Sequence, residues 1–256
     1  MAHTIYENQV LANKINELLK TKVDLNPYMT IDNSLAESAG MKKVVNTYTA
    51  SGDIENVAMG EGNTGDIEVS FTPHEYEVET YQGRFQYFDE QEAQDPMVVD
   101  AGLEGCAKHM VNKFNDLAIA EFGKATLSVS GAVGFDVIAD GLAKFGEDEA
   151  EFLLINPDSK AAFRKALKDE LKYSEGFART GYIGSVAGVP VIVSAIVPAN
   201  TGFLAKKEAV TAFIKKDTEV EQERDADKRN NKYWIRKVAV VALTDATKVV
   251  KVNFTA

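Results

Sequence analysis

Residues 66–124 read DIEVSFTPHEYEVETYQGRFQYFDEQEAQDPMVVDAGLEGCAKHMVNKFNDLAIAEFGK, and the hydrophobic period changes partway along them. Up to Phe88 apolar and polar residues alternate. Ile67, Val69 and Phe71 share one face of an extended chain, and Tyr76 and Val78 continue the period of two beyond Pro73. From Asp95 onward the spacing is three and four, with Leu103, Ala107, Met110, Phe114 and Leu117 along one side of a helix. Asp95 suits the N-cap and Pro96 the first turn, while Asp100 and Glu104 favour the positive end of the helix dipole. A helix from Pro96 to Lys124 would be about 43 Å long at 1.5 Å per residue, enough to cross the molecule. Gly102 and Gly105 weaken its first part and predict a bend or close packing there.

Working outward, Val44–Thr49 alternates in the same way, and MGEGNTGD (59–66) supplies three glycines for a tip. The two runs predict an extended hairpin. The charge is concentrated there as well. Asp53–Asp95 carries twelve acids against one base, Arg84, and so accounts for the whole net charge of −11; the other residues sum to zero. Concentrated acidity on a projecting arm predicts a complementary partner. Glu75, Glu77 and Glu79 fall on one face and repel one another, so the hairpin is poorly built to stand alone.

A chain of 256 residues with 45% hydrophobic and 26% charged content is ordinary for a globular protein. The acidic balance argues against a nucleic-acid coat or an anionic-membrane binder, which need clustered Lys and Arg. A single cysteine, Cys106, excludes an intrachain disulfide framework and a thiolate zinc cluster, as expected for a reducing compartment. The start has neither the basic flank nor the apolar block of a signal peptide, and no run reaches the roughly 18 apolar residues of a membrane span.

Residues 1–43 do not open like a compact domain. Asn8–Leu19 fits a short amphipathic helix, and VDLNPYMTIDNSLAESAG (23–40) is turn-rich with little to bury, so the segment reads as an arm ordered by a neighbour. Beyond the long helix, Phe135–Phe145 is a second helical pattern ended by Gly146. Phe152–Ile155 is a short buried strand, and Asn156-Pro157-Asp158 starts a helix running to about Leu171. Tyr173–Gly181 reads as a loop, and GVPVIVSAIVP (188–198) as a β-branched strand closed by Pro198. The C-terminal part is a mixed-charge patch followed by two strands around a Thr244–Thr247 turn. The fold class is α+β.

No catalytic constellation emerges. His3, His74 and His109 belong to no metal-binding pattern, and Cys106 reads as a small buried hydrophobe whose neighbour His109 has nothing to orient it as a base. Gly181, Gly184 and Gly188 match no phosphate loop and read as turn glycines. The residues point to no cofactor, no metal and no enzyme.

The order of elements resembles the major capsid proteins of tailed bacteriophages, with their Hong Kong-type coat fold. The likeness rests on the arm, the acidic hairpin and the long helix after FDEQEAQDP, which match that family's N-arm, E-loop and spine helix. It rests further on FLLINPDSKAAFRKAL (152–167), similar to a strand-to-helix unit of the axial domain. TGYIGSVAGVPVIVSAIVPANTGFLAKKEAV (180–210) and KYWIRKVAVVALTDATKVVKV (232–252) resemble the family's later strands. The resemblance implies an N-terminal arm over 1–43, an E-loop and the start of a peripheral domain over 44–94, and a spine helix with peripheral domain over 95–130. An axial domain over 131–215 and C-terminal strands of the peripheral domain over 216–256 complete it.

It also implies a structural shell subunit that assembles with itself into hexamers and pentamers of an icosahedral head, enclosing double-stranded DNA without reading its sequence. Portal, head-completion and separate scaffolding proteins are the implied partners, with no membrane; the implied location is the virion, after assembly in the host cytoplasm. A chain that begins at the arm implies either a separate scaffold or cleavage before that start, and an initiating Met1 favours the former. In that family the E-loop lies across the adjacent subunit. Asp66, Glu68, Glu75, Glu77 and Glu79 are then candidate intersubunit contacts, with Lys108 and Lys113 of the neighbour's long helix as acceptors and Arg84 pairing in return. Exposed pairs contribute at most about 1 kcal/mol each, so registration is their expected role. The hairpin has no lysine between Lys43 and Lys108, so covalent cross-linking through an E-loop lysine is not expected. An encapsulin-like compartment shell and a small enzyme with a scattered site are the alternatives.

Overall fold

The computed structural model describes residues 6–7, 25–36, 39–168 and 184–255. The expected helix over Asn8–Leu19, the loop over Tyr173–Gly181, Gly181 and His3 lie outside the described residues. Two sheets, a helical layer on each and one detached ribbon make up the rest.

The first sheet is built on a long antiparallel pair, β11 (Val210–Asp225) and β12 (Asn230–Leu243), with β5 (Glu79–Phe88) on the outer edge of β12. Two register shifts between Ile214 and Glu219 bulge β11, so its two halves hold different neighbours. Its first half pairs in parallel with β2 (Thr30–Asp32), its second half with β1 (Tyr6–Glu7). Alternation places Tyr81, Phe85 and Tyr87 on one face of β5. Against that face lies the long helix, α2 (Met97–Phe122), whose Leu103, Ala107, Met110, Phe114, Ala118 and Phe122 are buried. The predicted helix is thus present. Pro96 occupies the N-cap position, yet the Asp95 carboxylate still accepts from the Met97 N–H at 3.0 Å. The close packing predicted from the glycines is real at Gly102, which faces the Phe85 ring.

The second sheet runs β6 (Leu127–Ala132), β13 (Val249–Thr255), β10 (Thr201–Ala205), β7 (Phe152–Ile155), β9 (Val189–Val193) and β8 (Ser185–Val186). Helices α3 (Phe135–Ala143) and α4 (Pro157–Ala166) supply Val137, Ile138 and Phe163 to its core. Asn156 caps α4, its side-chain oxygen accepting from the Asp158 N–H at 2.9 Å while its amide donates to the Val197 carbonyl at 2.6 Å. Gly188 (φ 83°), after Ala187 (φ 50°), makes the tight turn between β8 and β9, so this glycine is a turn residue.

Three expectations are corrected. Residues 216–256 do not form one set of strands: β13 leaves β12 and enters the second sheet between β10 and β6. Val249, Val250 and Val252 are fully buried there, which a central strand requires. Second, residues 23–40 have something to bury. Leu25, Met29 and Leu35 are in the core, the Leu25 N–H donates to the buried Asn115 at 3.1 Å, and Tyr28 packs on Phe152.

Third, the acidic stretch is not one ribbon. β3 (Lys42–Ser51) and β4 (Glu68–Glu77) form a separate two-stranded sheet, but the chain turns at the buried Val78 and continues as β5 in the body. Asp89–Gln94, read as extended, is a short helix, α1, in which the Gln91 side chain accepts from the Phe88 N–H at 3.0 Å. Its acids are used internally. Asp89 bonds Arg224 and Asn231, each at 2.8 Å, and Glu90 faces Arg229 at 3.8 Å, joining α1 to the tip of the β11–β12 hairpin.

Candidate intersubunit interface

The β3–β4 ribbon has two unlike faces, because directly opposed residues of an antiparallel pair share a side. On one side stand Lys43, Val45 and Tyr76 near the base, then Thr47, Thr72, Thr49 and Ser70. The base of that side is anchored to the body. Tyr76 stacks on Phe213 at 5.8 Å and donates to the Leu243 carbonyl at 3.1 Å, while Lys43 reaches Asp32 at 3.3 Å and the Ser34 hydroxyl at 2.6 Å. Hydrogen bonds to the Asp32 carboxylate, from Ser34 first, hold its pKa below the ordinary value despite partial burial.

The other side is acidic near the base and apolar farther out. Lys42 lies between Glu75 (3.3 Å) and Glu77 (3.1 Å), and these contacts raise its pKa. The expected mutual repulsion of Glu75, Glu77 and Glu79 is therefore corrected. One ammonium bridges the first two, and Glu79 lies beyond the turn, accepting from the Tyr81 hydroxyl at 2.7 Å. Burial, then that bond, pushes the Tyr81 phenol far above its ordinary range. Distal to Glu75 the same face carries Pro73, Phe71 and Val69 opposite Asn46, Tyr48 and Ala50, with the Tyr48 and Phe71 rings 6.3 Å apart. Tyr48, Phe71 and Val69 keep about two thirds of their surface exposed (67%, 64% and 65%). An apolar stripe on a two-stranded ribbon is unstable as a water-facing surface and calls for a covering partner.

The tip, residues 52–67, has no regular strand but is not shapeless. Glu55 closes it, accepting from the Thr64 N–H at 2.8 Å and the Thr64 hydroxyl at 2.7 Å, which lowers its pKa. Ile54 and Met59 are almost wholly exposed. Asp66 and Glu68, at the tip and at the start of β4, are exposed too.

On the body, His109 and Lys113 of α2 line a groove beside β5; Arg84 borders it in sequence, but its side chain lies on the face of β5 opposite to α2, and Lys108 is exposed on α2 outside the lining of that groove. Arg84 lies over the Trp234 ring at 5.4 Å, and Lys113 over Tyr81 at 5.8 Å. The sequence puts Val69 and Phe71 on one face without marking that face as a joint, and it does not show the groove. The stripe was legible in the alternation Val69–Phe71. The groove depends on which edge of β5 is left unpaired, which no local pattern encodes. Among the described residues no group of three or more His, Cys, Asp or Glu is placed to hold a metal ion, and no helix is long and apolar enough to cross a membrane.

The model of a family described as phage capsid protein matches residues 72–252, well over half of the chain. Over 259 aligned residues the chain is 26% identical to the major capsid protein of Staphylococcus phage phiMR11, covering 96% of this chain and 92% of that one. Among solved structures, the mature capsid of bacteriophage PhiM1 superposes with a TM-score of 0.71 at 12% identity, over 88% of this chain and 86% of that one. A virus-like particle from Pyrococcus furiosus superposes with a TM-score of 0.64 at 12% identity, over 96% and 98%. At that identity the structural likenesses speak for the fold.

Proposed function

This chain belongs to the phage capsid protein family, and from that premise we propose that its ribbon, groove and arm are the joints by which copies of it close into an icosahedral head. It is a structural subunit of the shell of a tailed-phage head, it assembles with its own kind, and its place is the virion capsid. The finer reading is a non-enzymatic tile that forms hexamers and pentamers in the host cytoplasm around a separate scaffolding protein, with a portal at one vertex. The double-stranded DNA inside is enclosed and not read.

The observation that carries the reading is the face bearing Tyr48, Val69 and Phe71, which stays about two thirds exposed and, among the described residues, is covered by nothing outside its own ribbon. Apolar surface on a projecting ribbon is retained where a neighbour covers it, and covering it contributes roughly 25 cal/mol per Å². Asp66, Glu68, Glu75, Glu77 and Glu79 would then set the registration, with Arg84, Lys108 and Lys113 as the neighbour's cations. Pairs at an exposed rim govern partner choice and on-rate more than affinity.

Electron microscopy of the expressed protein, alone and with the scaffold encoded alongside it, tests the reading. Closed shells of uniform diameter are expected. A protein that stays monomeric or a small oligomer under all these conditions overturns it.

A further inference from the structure

β5 stops short of the end of its neighbour. It begins at Glu79, opposite Ala239, whereas β12 runs on to Leu243. Leu243 pairs with Val210 of β11, so among the described residues the last residue of β12 has a strand on one flank only. Two side chains from distant parts of the chain serve its backbone groups there. The Glu121 carboxylate, in the last turn of α2, accepts from the Leu243 N–H at 3.1 Å. The Tyr76 hydroxyl, near the end of β4, donates to the Leu243 carbonyl, also at 3.1 Å. Backbone groups on a half-buried edge require such partners.

Neither side chain is explained by its own element. An acid in the last turn of a helix faces the negative end of the dipole, which is unfavourable, and Lys124, 2.6 Å from the other oxygen of Glu121, offsets it. The Glu121 side chain is nevertheless only 15% exposed. A phenylalanine at 76 would stack on Phe213 as tyrosine does, without a phenol to desolvate. Burial, and then the Glu121 carboxylate, raise the Tyr76 pKa, so the two groups sense each other across Leu243. Leu243 is also where the chain leaves the first sheet for β13. The placement of Tyr76 matters because the ribbon is a lever. Its ten-residue strands are about 33 Å long at roughly 3.3 Å per residue, so a tilt of about 10° at the base carries the far end about 6 Å.

We propose that Glu121 is a positioning residue for the ribbon: it holds the Leu243 end of β12, Tyr76 grips that end, and the two bonds in series set the direction in which the ribbon leaves the body. Lys43 ties the β3 strand to β2 through an ion pair of partly exposed groups, whereas Tyr76 ties β4 to the sheet itself. The inference deepens the shell reading and rests on it for its consequence, since a misdirected ribbon misses its neighbour. The direction of the ribbon is itself a property of the single subunit.

For the test, Cys106→Ser is combined with Ser51→Cys, at the far end of β3, and Asn112→Cys, on the exposed face of α2, and both thiols are spin-labelled. Pulsed electron paramagnetic resonance on unassembled subunits then reads the distance from ribbon to helix. One narrow distribution is expected for this background and for Glu121→Gln, which keeps an acceptor for the Leu243 N–H. Tyr76→Phe and Glu121→Ala are expected at least to double its width. Their combination should be no wider than the broader single, because the bonds act in series. Asn156→Ala, which removes the cap of α4 in the second sheet, is expected to leave the width unchanged. Without labels, Tyr76→Phe and Glu121→Ala should lower shell yield at least tenfold, and Glu121→Gln less than twofold. Unchanged widths in Tyr76→Phe and Glu121→Ala, equal broadening in Asn156→Ala or Glu121→Gln, or full shell yield from the broadened variants would each overturn the positioning role. Absence of shells from the unaltered protein, with the distances as expected, would overturn the shell reading and leave the positioning role standing.

Discussion

Gly102 lies face to face with the ring of Phe85, so that a Cβ added to the helix would stand 2.2 Å from the ring's Cζ. The long helix sits close on its sheet because one residue of each is matched: a missing side chain on α2 and a large flat one on β5. Gly105, one turn along, faces open space.

Gly102→Ala is therefore expected to destabilise the subunit by about 1–3 kcal/mol, since the ring has to shift within a packed core. Gly105→Ala is expected to stabilise it by about 0.5–1 kcal/mol through helix propensity alone. Thermal unfolding of the two unassembled variants should move in opposite directions. Equal shifts of the same sign would show that the Gly102–Phe85 contact does not set the packing.

Replacing Glu75, Glu77 and Glu79 together with lysine would crowd Lys42 with like charges and remove the acceptor of Tyr81. The core lies elsewhere, so helical signal and melting temperature are expected to stay close to the parent. Hydrogen exchange in 42–51 and 68–77 should rise, and shell assembly should fall. A large loss of melting temperature would place these acids in the fold itself.

The tip should loosen in acid. Hydrogen bonds from Thr64 depress the pKa of Glu55 in the folded tip below its ordinary 4.5. A depressed carboxyl favours the closed loop above its unfolded value and loses that contribution as pH falls through the folded one. Proteolysis or amide exchange across 52–67 should therefore rise below about pH 4.5 in the parent. In Glu55→Gln it should already be high at pH 7 and change little on acidification.

Asn156 serves two elements at once, capping α4 and tying it to Val197. Asn156→Ala is expected to cost about 1–2 kcal/mol, and Asn156→Asp less, because aspartate keeps the cap and loses only the donor. Denaturant unfolding of the two variants checks the order, and Asp as costly as Ala would show that the Val197 bond dominates.

Local chemistry was legible wherever a residue's role depends on its neighbours in the chain. Phe152–Ile155 was read to the residue as a buried strand, and Asn156-Pro157 as the start of a helix, since a run of apolar side chains and a cap are local facts. The Leu103–Phe114 stripe gave the long helix within two residues at each end. The helix at Asp89–Gln94 is hidden among acids that continue the charge of the hairpin, and its one local sign is Gln91, three residues after Phe88. Leu25, Met29 and Leu35 were missed because turn-forming neighbours hide single buried residues.

The sequence by itself determined that this protein has an acidic hairpin, a girder helix and a series of strands and short helices after it, because hydrophobic period and turn chemistry act over a few residues. Only the tertiary structure decided that the acids divide among tip, ribbon base and body, since Val78 turns the chain into the sheet and Arg224 and Asn231 claim Asp89. It alone sent β13 away from β12 into the second sheet, and it alone left one edge of β5 without a strand partner among the described residues, near His109 and Lys113. Pairing between strands is set by burial summed over distant segments, and no window of sequence carries that sum.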